Sequence, residues 1–247
     1  MPASPFDETY ADTRDALRRV ATHVVSRAQH AHSSRIGLRA APGGFGTTEY
    51  GPDSERVRVS GGALVHESRP ASGATTRAIE IDGAGLDDLA RFVGVDLSVD
   101  FSVGTDTPPL GDVDAPIHLH GPAVRALVGW YDTAAQALDR VVVGTPSAAQ
   151  PSLIQLWPEH FDVALDLAFD LPAPGERRVN LGGAVGDEFH APPYLYVGPW
   201  TPDRPGDPGY WNAPFGAVIG FDDVMTAADP VEAALGFFRA GLERLST

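Results

Sequence analysis

The segment His118-Leu119-His120 places two imidazoles two residues apart. In an extended chain, side chains at this spacing point to the same face, and neutral imidazole is a good ligand for zinc, iron or nickel. The pair therefore suggests a metal site. Metal-binding cupins follow such a pair with a glutamate, whereas here Gly121 and Pro122 follow, and the strands are too few for an amidohydrolase barrel. The alternative is an exposed connector that leads into a helix.

A second group of ionisable side chains lies between Trp157 and Phe169. If this stretch is a strand, His160, Asp162 and Asp166 share one face. An imidazole and two carboxylates in a row suit a metal site or an acid–base pair. The alternative is the solvated face of an amphipathic strand. The residues expected on the opposite, core face are Val163, Leu165, Leu167 and Phe169.

A glycine-rich stretch, Asn180 to His190, brings Asp187, Glu188 and His190 within four residues. These side chains have ligand character, although a polar loop would have the same composition. The stretch is not a G-x-G-x-x-G motif followed by a helix, so it predicts no dinucleotide site.

The next strand alternates, with Tyr194 and Tyr196 facing one way and Leu195 and Val197 the other. We expect the tyrosines to line a small-ligand pocket with the long loop 198–216. Aromatic packing beneath a proline-rich loop is the alternative. The candidate ligand-binding residues are Tyr194, Tyr196, Trp200, Asp187, Glu188 and Asn180.

Two residue types are absent from the 247 residues: lysine and cysteine. Without cysteine there is no disulfide, thiol nucleophile, thiolate zinc site or iron–sulfur cluster. Without lysine there is no pyridoxal-phosphate anchor and no complete P-loop. The sequence also has no G-x-S-x-G or H-E-x-x-H motif. Any acid, base or ligand must therefore be His, Asp, Glu or Tyr.

The formal net charge of −15 argues against nucleic acid and anionic membranes as partners. The 18 basic residues are all arginines and are scattered along the chain. No apolar run approaches the roughly 18–20 residues of a membrane span, and the N-terminus does not resemble a signal peptide. We expect a cytoplasmic protein.

The first half is predicted to contain a helix from Asp7 to Ala31, several strands and a short helix over Leu86–Val93. The helix has an apolar stripe at helical spacing, formed by Leu17, Val20, Ala21, Val24, Val25 and Ala28. The predicted strands, separated by Gly and Pro turns, are Ile36–Ala40, Thr47–Tyr50, Glu55–Val59, Ala63–His66 and Thr75–Ile81.

The second half is predicted to repeat this order. A long helix begins at Pro122, and a final helix over Pro230–Leu245 begins at a capping-box start with Asp229 as N-cap and Glu232 three residues later. The strands predicted between them are Leu153–Trp157, Asp162–Phe169, Arg177–Leu181, Tyr194–Val197 and Phe215–Gly220.

The two halves, 1–95 and 121–247, also share a local similarity. Residues 55–64 (ERVRVSGGAL) resemble 176–185 (ERRVNLGGAV), each read as a strand that runs into a Gly-Gly turn or bulge. Coincidence in a Gly- and Ala-rich chain is the alternative. We expect a single α+β domain, 1–247, with an irregular connector at 96–120. Three longer helices would cover one continuous antiparallel sheet or two sheets.

Residues 155–245 resemble a bacterial family of uncharacterised proteins known only as a domain of unknown function. Members have a Phe-Asp-Leu-Ala strand, a Gly-rich acidic turn, an aromatic strand, a strand that leads into acidic-Asp-Val, and an Ala-Ala-Asp-Pro helix. The matching segments are Phe161–Ala164, Gly182–Glu188, Tyr194–Trp200, Asp222–Val224 and Ala227–Pro230. This chain has Val163 where the family has Leu. The family has no assigned activity, so the resemblance implies a fold unit and no catalytic residues.

Three functions remain open from the sequence. The first is a small-ligand or partner-binding protein without chemistry of its own. The second is a metal-dependent hydrolase, in which a bound divalent ion lowers the pKa of a water molecule. The third is a homodimeric structural or assembly protein. The candidate metal ligands are His118, His120, His160, Asp162 and His190.

Overall fold

The computed structural model describes residues 6–168, 177–202 and 204–246. Within them the fold is α+β, with ten strands in two five-stranded antiparallel sheets. The chain divides into two compact units. The first is Met1–Gly129 with Leu156–Phe161, and the second is Trp130–Gln155 with Asp162–Thr247.

The first unit begins with a long helix in three parts: α1 (Glu8–Val20), a π-helical segment (Ala21–Ser26) and α2 (Arg27–Ser33). The side chain of Asp7 caps α1 by accepting a hydrogen bond from the backbone N–H of Tyr10 at 3.2 Å. The predicted apolar stripe is buried throughout. The π-helical segment was not predicted, and such segments are rare and frequently lie at functional sites.

The π-helical segment is buried on all sides, because three of its polar side chains also point inward. Each of them bonds to a carbonyl oxygen outside the helix. These bonds run from Thr22 to Pro158 at 3.0 Å, from His23 to Pro108 at 2.8 Å and from Ser26 to Ile36 at 2.7 Å.

The first sheet is a meander in the order β1-β2-β3-β4-β5. Its strands are β1 (Arg39–Ala41), β2 (Gly44–Gly46), β3 (Arg56–Ser60), β4 (Ala63–Ser68) and β5 (Thr75–Glu80). A short helix, α3 (Leu86–Phe92), follows.

The predicted strand over Thr47–Tyr50 is wrong, because backbone pairing remains only at its two ends, from the Thr47 N–H to the Val57 carbonyl at 2.9 Å and between Tyr50 and Glu55 in an isolated bridge. Side chains make other bonds that a continuous ladder would make. The hydroxyl of Thr47 accepts the Val57 N–H at 3.0 Å, and the Thr48 N–H donates to Gln29 Oε1 at 2.9 Å. Strand pairing lies instead at β2, whose Phe45 is fully buried.

Residues 93–120 form neither helix nor strand. Backbone carbonyls outside regular structure need other partners, and here the first helix supplies them. The donors are Arg18, Arg19, His23 and Arg27. Their acceptors are the carbonyl oxygens of Asp106, Leu110, Asp112, Pro108 and Val99. This segment is therefore held against the helix along much of its length.

The helix α4 (Gly121–Gly144) crosses from the first unit to the second between Gly129 and Trp130. The second sheet is also a meander, in the order β10-β9-β8-β7-β6. Its strands are β6 (Gln155–Trp157), β7 (Asp162–Ala168), β8 (Arg178–Ala184), β9 (Tyr194–Pro199) and β10 (Ala217–Gly220). The predicted end of β7 at Phe169 lies outside the described residues.

The Gly-Gly pairs of the two similar segments have different roles. Gly61 and Gly62 form the β3–β4 turn, with φ of 62° and 102°, as predicted. Gly182 and Gly183 do not form a turn and lie inside β8, paired with Tyr196 and with Leu195 of β9. The prediction of a second Gly-Gly turn is wrong. The missing side chains at 182 and 183 instead admit the Tyr196 ring on one side of the sheet and Ala134 of α4 on the other.

Two helices close the second unit: α5 (Phe221–Met225), which was not predicted, and α6 (Pro230–Leu245), whose bounds match the prediction. The carboxylate of Asp229 caps α6 by accepting the N–H groups of Val231 at 3.0 Å and Glu232 at 3.1 Å. Among the described residues, no helix combines the length and apolar composition that crossing a membrane requires.

Candidate functional site

The two tyrosines of β9 lie on one face of the second sheet, as predicted, and their ring centroids are 6.4 Å apart. Their hydroxyls are already bonded. Tyr194 donates to Asp187 Oδ2 at 2.6 Å, and Tyr196 donates to Asp162 Oδ2. Burial, followed by the neighbouring carboxylates, raises the pKa of both tyrosines above its usual value. Both therefore stay protonated and act as donors.

Most of the other candidate ligand-binding residues are also hydrogen-bonded to protein groups. Trp200, with 59% of its surface exposed, donates from Nε1 to Asn180 Oδ1 at 2.9 Å. Asp187 also accepts the backbone N–H groups of Phe189 and His190, and Glu188 is exposed in the β8–β9 loop. These polar groups largely satisfy one another, which stabilises the sheet face and leaves few donors for a ligand.

The structure does not place His160 beside Asp162 and Asp166 on a strand face, so that prediction is wrong. Phe161 has φ of 57° and its N–H bonds to the Trp157 carbonyl at 2.7 Å. This tight turn breaks the alternation before β7 begins. Asp166 lies on the same face of β7 as Asp162 and pairs with Arg178.

The candidate metal ligands are not brought together. His118 and His120 are exposed in the segment before α4. The imidazole of His160 lies 3.6 Å from Asp106 and 3.5 Å from Glu159, and His190 packs edge-on against the Tyr194 ring. Over residues 6–168, 177–202 and 204–246, no three His, Asp or Glu side chains form a group that could hold a metal ion.

The first unit contains a cavity that the sequence analysis did not predict, which we call the α2 cavity. Its volume is about 420 Å³, within the range of about 300–1,000 Å³ typical of small-molecule sites. It lies between α2, the turn before β3 and the segment after α3. Its lining residues are Arg27, Ala28, His30, Ala31, His32, Tyr50, Glu55, Val93, Gly94, Val95, Asp96, Val99, Asp100 and Phe101.

Arg27 follows the π-helical segment directly and is 8% exposed. Its guanidinium donates to the Val99 carbonyl and lies 5.3 Å from the centroid of the Phe101 ring. Burial lowers the pKa of Arg27, while the charges of Asp96 and Asp100 oppose that shift. Arg27 thus fixes the wall formed by residues 96–101.

Tyr50 supplies a hydroxyl group to the cavity wall. The residue is only 6% exposed, and its ring packs against that of His32 at a centroid distance of 5.3 Å. Its hydroxyl makes no hydrogen bond to any of the described residues and is not among their fully buried unpartnered polar atoms, so the oxygen is accessible to a small molecule. Burial, followed by the charge of Glu55, raises the pKa of Tyr50 above its usual value, so the hydroxyl keeps its proton.

Glu55 lies beside His66 of β4. Arg77 donates to Nδ1 of His66 at 2.8 Å. Nε2 of His66 lies 3.2 Å from Glu55 Oε1 but completes no hydrogen bond with the described residues. Glu55 brings a carboxylate to the cavity wall.

A larger cavity of about 600 Å³ lies elsewhere in the first unit, lined by the glycines of the β3–β4 turn and the start of α4. Its charged residues Glu80 and Arg125 are exposed, and Asp82 already accepts the Leu119 N–H at 2.9 Å. No tyrosine lines this cavity among the described residues.

Comparison of the chain with protein families, curated proteins and solved structures gave no match.

Proposed function

We propose that this protein binds a small organic ligand in the α2 cavity. The observation that carries the proposal is Tyr50, a nearly buried residue of the cavity wall whose hydroxyl has no hydrogen-bond partner among the described residues. A few polar groups that face an otherwise apolar cavity typically fix the orientation of a bound ligand. A ligand in the cavity would supply the missing partner.

The surroundings of Tyr50 support the same proposal. The cavity combines apolar walls with a few polar groups, which is typical of small-molecule sites. The ring of His30 packs edge-on against Phe101 at 5.2 Å, and no described residue bonds to its imidazole nitrogens. The π-helical segment immediately before Arg27 is a further feature typical of functional sites.

A thermal-shift screen against a metabolite library tests the proposal. A ligand at 100 times its dissociation constant stabilises the folded state by about 2.7 kcal/mol, so a true ligand raises the midpoint clearly. Ala31 is exposed on α2 at the cavity wall, and Ala31→Phe should block the cavity without disturbing the core.

The matched control is Gln136→Phe, at an exposed position of α4 that does not line the cavity. We expect the shift to disappear in Ala31→Phe and to persist in Gln136→Phe. A screen without any stabilising compound, or a shift that survives in Ala31→Phe, contradicts the proposal.

A further inference from the structure

The charge of the α2 cavity indicates what kind of ligand it binds. Three carboxylates line it, those of Glu55, Asp96 and Asp100, against one guanidinium, that of Arg27. With neutral histidines the lining has a net charge of −2. A negative lining disfavours an anionic ligand and favours a cation.

Arg27 does not offer a site for an anion. Its guanidinium is committed to the Val99 carbonyl and to the Phe101 ring, and the charges of Asp96 and Asp100 already act on it. An anion near Arg27 would be repelled by these two carboxylates. Glu55 adds a third carboxylate to the lining.

The walls also suit a positively charged group that carries an apolar body. Aromatic faces attract ammonium groups through their quadrupoles, and the rings of Tyr50 and Phe101 both line the cavity. The apolar body would contact the remaining walls, which are formed by Ala28, Val93, Val95 and Val99.

We infer that the α2 cavity binds an organic cation, an ammonium group joined to an apolar or aromatic body, with the Tyr50 hydroxyl and the Glu55 and Asp100 carboxylates around the charge. This inference rests on the proposed function and names the class of ligand. Tyr50 is the independent observation, since this nearly buried side chain lines the cavity and its hydroxyl has no partner among the described residues whatever the charge of the cavity.

The test is a calorimetric titration with three probes of nearly equal shape: 2-phenylethylammonium, 2-phenylethanol and phenylacetate. We expect the cation to bind at least about tenfold more tightly than the alcohol, since it adds cation–π and carboxylate contacts. The anion should bind more weakly than the alcohol. Equal affinity of cation and alcohol, tighter binding of phenylacetate, or no binding of any probe overturns the inference.

Two variants locate the charge effect. Asp100 is exposed and makes no hydrogen bond to the described residues, so Asp100→Asn should fold normally. It should weaken the binding of 2-phenylethylammonium about two- to fivefold and leave the affinity for 2-phenylethanol unchanged. Asp114→Asn removes the same charge at an exposed position outside the cavity and should change neither affinity. Equal weakening by both variants contradicts the inference.

The two proposals can fail separately. If Ala31→Phe abolishes the shift of a library compound and the three probes show no preference for the cation, the ligand class is wrong and the binding site stands. If cavity blockage has no effect on any compound, the proposed function itself fails.

Discussion

Replacing Tyr50 by phenylalanine should leave the folding stability unchanged, although Tyr50 is only 6% exposed. Its hydroxyl makes no hydrogen bond to the described residues, so Tyr50→Phe breaks no bond. The hydroxyl is also not among the fully buried unpartnered polar atoms of these residues, so its removal relieves no burial penalty. We therefore expect the free energy of unfolding to change by less than about 0.5 kcal/mol.

Tyr194→Phe is the matched control. Tyr194 is 4% exposed and donates to the Asp187 carboxylate at 2.6 Å. A hydrogen bond to a charged group contributes about 1.5–3 kcal/mol, so this variant should be destabilised by about that amount. In this variant the Asp187 carboxylate still accepts the hydrogen bonds from the N–H groups of Phe189 and His190, so only one hydrogen bond is lost.

Urea unfolding at constant pH measures both variants, with the midpoint and slope compared with the parent protein. The expected order of stability is Tyr50→Phe close to the parent and Tyr194→Phe well below it. A loss of more than about 1 kcal/mol in Tyr50→Phe would show that its hydroxyl has a structural bond. It would then no longer mark a ligand site.

Three further predictions concern stability. Gly182→Ala should destabilise the protein by about 1–3 kcal/mol, because a Cβ at this position would meet the Tyr196 ring. Gly129→Ala should stabilise α4 by about 0.5–1 kcal/mol, because a Cβ there would have no atom within 4 Å. The reverse order of urea midpoints would contradict this prediction. Asp229→Ala should lose about 1 kcal/mol of α6 capping that Asp229→Asn retains, and equal thermal midpoints for the two variants would refute the cap. Burial is the largest cause of the lowered pKa of His23, so the folded protein favours the neutral imidazole. The stabilisation from burying neutral His23 is complete above the ordinary histidine pKa of about 6.5. It is lost as the pH falls through the lowered pKa of the folded state. His23→Gln should flatten the fall in urea midpoint between about pH 7.5 and about pH 5.5, and an unchanged slope would count against it.

Helices and the sheet class were predictable because they depend on local patterns. The apolar stripe of the first helix and the cap at Asp229 require only residues a few positions apart. Strand alternation also placed Tyr194 and Tyr196 on one face correctly. The prediction of a strand at Thr47–Tyr50 failed because the Val57 and Thr48 N–H groups bond to a threonine hydroxyl and to the distant Gln29 side chain in place of backbone carbonyls.

The α2 cavity was not predictable in this way. Arg27, Tyr50 and Phe101 come from three separate segments, and they line one cavity only in the folded chain. The three arginines and the histidine that hold residues 93–120, Arg18, Arg19, Arg27 and His23, bond to backbone carbonyls, which carry no sequence signal. The histidines and aspartates proposed as metal ligands were, by contrast, visible in the sequence. In the described part of the chain they do not form a group that could hold a metal ion.

The most direct test of the account is a crystal structure of the protein with the compound that stabilises it most in the thermal-shift screen. We predict that the compound lies in the α2 cavity, with a polar atom within hydrogen-bond distance of the Tyr50 hydroxyl. A compound bound instead against Tyr196 and Trp200 of the second unit, with the α2 cavity free of it, would contradict the central claim.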